Sequence, residues 1–115
     1  MKLNPDCIRD ILLAVEEVAD GENELIIEED QIPDSLSAYS FNEIFYHSKQ
    51  CKSSGYFEDM RVFIVPAFSI SDLSPQGHEM LRLIREETTF NKIKKALVDK
   101  GLPFALEAVK SIIIG

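Results

Sequence analysis

The stretch from Tyr39 to Gly77 allows few folds. Ser40-Phe41-Asn42-Glu43 is a capping box: the serine hydroxyl accepts from the Glu43 N–H, and the Glu43 carboxylate reaches back to the Ser40 N–H. Tyr39 and Ile44 sit where a hydrophobic staple closes. The spacing predicts a helix from Ser40 to about Ser54, with Ile44, Phe45, Ser48 and Cys51 inward and Asn42, Tyr46, Lys49, Gln50 and Ser53 outward. Gly55 supplies its left-handed stop. Two strand-like runs follow. Tyr56-Phe57 and Arg61–Val65 read as one strand with a turn or bulge near Glu58-Asp59, and Ala67–Ser71 alternates as its partner. Pro66 between them has no N–H to give a ladder and suits a turn or an edge. Ser74 then caps a further helix, with Pro75 in its first turn.

On either side of this stretch the patterns are helical. Asn4 is an N-cap, Pro5 suits the first helical position, and Asp6 complements the helix dipole. Ile8, Ile11, Leu12, Val15, Val18 and Ala19 form one apolar face, with Gly21 as the stop. Glu24–Glu28 reads as a short strand. The loop after it is anchored by Leu36 and Tyr39, with room for a single helical turn at Pro33–Leu36. Met80, Leu81, Leu83 and Ile84 belong to the helix after Ser74, which is expected to end near Glu87. Phe90, Ile93, Ala96, Leu97 and Val98 belong to another, stopped by Gly101. Pro103 is expected to open the last, with Leu106, Val109, Ile112 and Ile113 inward. The fold class is therefore α+β: a winged helix-turn-helix-like domain (helix, short strand, helix, two-stranded wing, helix) with two extra C-terminal helices. Residues 1–115 read as a single domain, with a core over 1–88 and a helical extension over 89–115.

Charge narrows the partners. The net charge is −8. Residues 1–60 carry 14 Asp or Glu against 4 Lys or Arg, whereas residues 61–115 carry 6 against 8. DNA affinity comes largely from cations that neutralise phosphates, so the acidic half points to a basic protein surface instead. No apolar run approaches the roughly 20 residues that span a bilayer, and the polar start has no signal-peptide core. The expected location is cytoplasmic, with no membrane partner. Cys7 and Cys51 stand on separate predicted helices and read as reduced, buried thiols.

Chemistry is sparse. His78 has Glu79 beside it, but neighbouring side chains diverge on a helix. His47 sits mid-helix and reads either as a packing residue or as a contact to phosphates or bases. Glu28-Glu29-Asp30 lacks the glycine and spaced ligands of a calcium loop. Gly77 stands alone, so no phosphate-cradling loop is present. Two Cys and two His, widely dispersed, do not make a four-ligand zinc site. The expectation is a non-enzyme with no metal and no cofactor.

Three segments carry a resemblance. They are Met1-Lys2-Leu3-Asn4-Pro5-Asp6-Cys7-Ile8 running on to Leu13, Tyr39-Ser40 leading to Tyr46-His47, and Leu73-Ser74-Pro75-Gln76-Gly77-His78-Glu79 running into Ile84-Arg85. Together they resemble a small bacterial and phage (often prophage) family catalogued as a domain of unknown function. Over nearly the whole chain this implies a phage-related origin and a winged-helix-like fold, and it brings no catalytic residue. Two pieces are also similar to bacterial winged-helix repressors. Tyr46-His47 followed by Gly55-Tyr56-Phe57 is similar to the end of their recognition helix, and Leu73–Gly77 to the Leu-Thr-x-x-Gly after their wing. The chain departs from them in the 24–38 strand and loop, which replaces their second helix.

Two functions follow as expectations. The first is a non-catalytic protein-interaction module that works through Glu16, Glu17, Glu22, Glu24, Glu28, Glu29 and Asp30, with the helices over 90–100 and 103–113, carrying Phe104, Ile112 and Ile113, either making a symmetric homodimer or completing the monomer's core. The alternative is a DNA-binding transcriptional regulator using the 40–54 helix and the 56–72 wing. Asn42, Tyr46, Lys49, Gln50 and Lys52 would then face the groove, Arg61 would stand on the wing, and Lys92 and Lys95 would hold the backbone.

Overall fold

The computed structural model describes residues 1–114. They form five α-helices and one three-stranded antiparallel sheet. Helix α1, Pro5–Val18, is capped as its sequence dictates: the Asn4 side chain accepts from the Asp6 N–H at 3.0 Å, and Pro5 fills the first turn. Its inward stripe is Cys7, Ile8, Ile11, Leu12, Ala14 and Val15. The helix stops before the expected glycine, and Val18 is exposed. Asp20 explains this. Its carboxylate accepts from the Glu22 and Asn23 N–H groups, an alternative to helical bonding that draws the backbone into a turn. Gly21 serves that turn, with φ +93°.

Strand β1, Leu25–Glu28, leads to a 3₁₀ turn at Asp34–Leu36 that buries Leu36. Helix α2, Phe41–Ser53, carries both bonds of the capping box, at 3.0 and 3.1 Å. Strand β2 is Met60–Val62 and β3 is Ala67–Ile70. The strand expected through Val65 ends at Val62. Phe63–Pro66 form the hairpin tip, closed by the Phe63 N–H on the Ala67 carbonyl at 3.0 Å, and Pro66 has no N–H to extend the ladder. Tyr56 and Phe57 leave the strand and turn inward, with Phe57 bridging Leu73.

The sheet order is β1-β3-β2, which places β3 in the centre. Leu25 pairs with Ile70 and Ile27 with Phe68 on one side, and Met60 with Ile70 on the other. All four β3 residues are buried, where alternation was expected. The outer face is roofed. Ser69 lies between Ile26 and Arg61, and Arg61 reaches across to Glu24 with an N–O distance of 2.6 Å.

Helix α3, Pro75–Ile84, starts where Leu73–Gly77 predicts. The Ser74 hydroxyl accepts from the Gly77 N–H at 3.1 Å and donates to the Gly55 carbonyl, while the Ser74 N–H donates to the Tyr56 carbonyl. A Cβ at position 77 would lie 2.0 Å from the Tyr56 oxygen, so only glycine lets the two backbones meet. Helix α4, Glu87–Lys100, begins three residues before the expected Phe90 and is stopped by Gly101 at φ +67°. The 88/89 division thus runs through its first turn. Helix α5 is Leu106–Ile114 rather than starting at Pro103. No Ser, Thr, Asp or Asn precedes Pro103 to cap a helix there, and the Ala105 N–H closes a turn on the Pro103 carbonyl instead. One hydrophobic cluster joins α1, β1, α2, β3, α3, α4 and Val109 of α5. Among the described residues no helix is long and apolar enough to cross a membrane.

Candidate functional site

The face shared by α2 and the β2–β3 hairpin is where the sequence concentrates its candidate contacts. Asn42, Lys49 and Lys52 are exposed on it, and Tyr46 and Gln50 are half-buried. His47 is buried. Its Nε2 accepts from the Asn4 N–H at 2.8 Å, which leaves the proton on Nδ1, and Nδ1 donates to the Glu43 carbonyl at 2.7 Å. Packing is therefore its role in the fold. The Lys49 ammonium lies 4.5 Å from the Phe45 ring centre, and Arg61 is held by Glu24. Lys92 and Lys95 are exposed on α4, which packs chiefly on α3 and α5.

The acidic candidates divide in the same way. Glu16 makes a bidentate pair with Arg85 at 2.9 and 2.5 Å. Those bonds hold its carboxyl below the usual range and push the guanidinium up. Glu24 is taken by Arg61. Glu17, Glu22, Glu28, Glu29 and Asp30 are exposed. Phe104 is half-buried with its ring edge-on to Phe90, Ile112 is half-buried, and Ile113 is exposed.

Sequence reasoning passed over the hairpin tip. Val62 and Val65 are 60% and 64% exposed, Phe63 is 40% exposed, and Ile64 is fully so. Four consecutive exposed apolar residues are rare unless they serve a contact. Behind the tip lies a groove of about 300 Å³ lined by Phe41, Phe45, Phe63, Val65 and Pro66, with Glu29 and Asn42 among its walls. Phe41 and Phe45 stack at 6.0 Å and lean on Phe68. The signal was available: an apolar run that ends on a proline marks a hairpin turn as well as a strand.

A second cavity, of about 420 Å³, lies among Asp6, Arg9, Asp10, Tyr39, Glu87 and Lys94. Most of its charged groups are already engaged within the fold. The Tyr39 hydroxyl donates to Asp10 at 2.7 Å, Lys94 pairs with Asp6 at 2.6 Å, and Arg9 donates to the carbonyls of Ile84 and Arg85. Burial and the Asp10 carboxylate push the Tyr39 phenol up, away from ionisation. His78 is exposed on α3. Among the described residues no three His, Cys, Asp or Glu side chains converge to hold a metal ion.

A third concavity, apolar and about 460 Å³, is lined by Leu3, Pro5, Leu97, Val98, Leu102 and Phe104, with Lys94 at its wall. Val98 is 79% exposed beside it.

Residues 2–103 match a family described as "Hypothetical protein (DUF2513)". A Haemophilus influenzae protein described as "Uncharacterized protein" is 32% identical over 114 residues, covering 97% of this chain and 92% of that relative. No solved structure matches the chain. With both matches spanning nearly all of the segments that carry the resemblance, the chain belongs to the DUF2513 family, a domain of unknown function.

Proposed function

We propose that this chain is a non-catalytic, cytoplasmic protein-interaction module on a winged-helix-like frame, of phage or prophage ancestry. The frame rests on chain order: helix, strand, a 3₁₀ turn in place of a second helix, capped helix, two-stranded ribbon, helix. One observation carries the choice of a protein partner. The cations that DNA would need on α2 and the wing are few, and Arg61 is already bound to Glu24. The exposed run Glu28-Glu29-Asp30 beside the wing suits a basic partner surface, and it would repel phosphate.

The exposed Asn42, Lys49 and Lys52 on the outer side of α2 favour the alternative, a transcriptional regulator. Titration of labelled genomic fragments at low salt separates the two. The protein-module reading expects no sequence-specific complex at tens of micromolar chain, and expects a basic protein retained on the immobilised chain to be released at high salt. A specific DNA complex together with an empty pull-down would reverse the choice. The reading also includes a homodimer through α4 and α5, supported by the exposed Val98, Leu102 and Ile113.

A further inference from the structure

Two of the apolar surfaces left uncovered among the described residues stand beside opposite charges. The first is the hairpin tip, Val62–Val65, with Glu28, Glu29 and Asp30 alongside; Val65 and Pro66 share a concavity with those three carboxylates. The second is the groove of Leu97, Val98, Leu102 and Phe104 between α4 and α5. Lys94 lines it with its ammonium on Asp6, and Lys95 stands exposed one helical turn from Val98 on α4. One surface protrudes and the other is concave. Each offers what the other lacks, in shape and in sign.

We propose that the hairpin tip of one copy seats in the α4–α5 groove of a second copy, with Ile64 and Val65 as the apolar anchors. The carboxylates of Glu28 and Glu29 then face Lys95 of the second copy. This rests on the reading that α4 and α5 form a homodimer, and it names what they bind. Charge decides against the other occupants. Duplex DNA and anionic lipid both meet Glu28, Glu29 and Asp30 first and are repelled. Two α4–α5 surfaces placed face to face bring Lys95 against its own copy. The tip-in-groove contact pairs unlike charges and covers both apolar surfaces at once.

Sedimentation of the full chain from micromolar to high micromolar concentration reads the contact directly. Self-association is expected, weakened at least tenfold by the double change Ile64→Ser and Val65→Ser, and by Val98→Ser with Leu102→Ser. All four side chains are at least 39% exposed, so folding survives, and circular dichroism verifies it. Reversing the acidic flank of the tip with Glu28→Lys and Glu29→Lys should abolish association. Adding Lys95→Glu in the same chain should restore it in large part, a rescue that general destabilisation does not produce. Mixing the wing-defective chain with the groove-defective chain should regain association, because one intact tip still meets one intact groove. A chain that stays monomeric at every concentration overturns both the dimer and this contact. An associating chain that ignores the wing changes overturns the contact alone and leaves a dimer through α4 and α5.

Discussion

Asn4 and His47, 43 positions apart, share one hydrogen bond: the Asn4 backbone N–H donates to the His47 Nε2 at 2.8 Å. The Asn4 side chain meanwhile caps α1. The cap of the first helix is thus fastened to α2 through a buried imidazole whose other nitrogen is spent on its own helix.

Replacing His47 by Ala should cost about 2–3 kcal/mol, from one lost buried hydrogen bond and the emptied volume. Urea denaturation measures it. Native-state hydrogen exchange should show the Asn4 amide losing its protection first. Unchanged protection at Asn4 would contradict the clamp.

Gly77→Ala should be among the most damaging single changes, because the added carbon meets a backbone oxygen rather than a flexible side chain. A loss of about 1–3 kcal/mol or more is expected, read from thermal unfolding. Ser74→Ala, which removes the cap and the bond to Gly55, should cost about 1–2 kcal/mol.

Ser48 and Ser69 each bury a hydroxyl without a hydrogen-bond partner among the described residues. Ser48→Ala in the middle of α2 should be neutral or stabilising by up to about 1 kcal/mol, since alanine also suits a helix better. A loss above that in chemical denaturation would mean that the hydroxyl has a partner in solution.

Cys7 and Cys51 should be inert thiols. Burial pushes Cys7 up to about 12, helped by Glu43 and Asp10, and pushes Cys51 higher still, helped by Cys7. At pH 8 the Cys7 thiolate fraction is then on the order of 10⁻⁴. Labelling by a disulfide reagent should follow the unfolding curve in denaturant, and rapid labelling in native buffer would contradict the burial.

The Glu16–Arg85 pair should give a small acid sensitivity. The folded Glu16 carboxyl lies below its ordinary 4.5, so its contribution is complete above that value and is lost as the pH falls through the folded value. The pair is largely exposed, so the loss below about pH 4.5 should stay under about 1 kcal/mol. Comparing the pH dependence of stability with that of Arg85→Ala isolates it.

Local chemistry was legible in the sequence. The caps at Asn4, Ser40 and Ser74 act on amides two or three residues away, and all three form as written. Gly101 and the helix starting after Ser74 follow the same logic. Features that depend on distant partners were not legible. That β3 is the central strand depends on β1 docking beside it, so an alternating pattern over Ala67–Ser71 does not reveal that Ser69 is covered. Glu24 and Arg61 were assigned to different partners because nothing local reveals that they meet across 37 positions. The hairpin tip was read as strand because its residues favour strands. It is exposed because the ladder ended at Val62, a tertiary outcome.

The order of the sheet also sets a schedule for synthesis. β1 leaves the ribosome with no partner, since Ala67–Ile70 lies about 40 residues further on. At about 5–20 residues per second, Leu25, Ile26 and Ile27 wait for roughly 2–8 s, held only by what α1 and the 3₁₀ turn can offer. The β2–β3 hairpin arises locally and quickly, and β1 then closes onto its far side. A nascent chain halted before residue 67 therefore exposes an unpaired apolar strand.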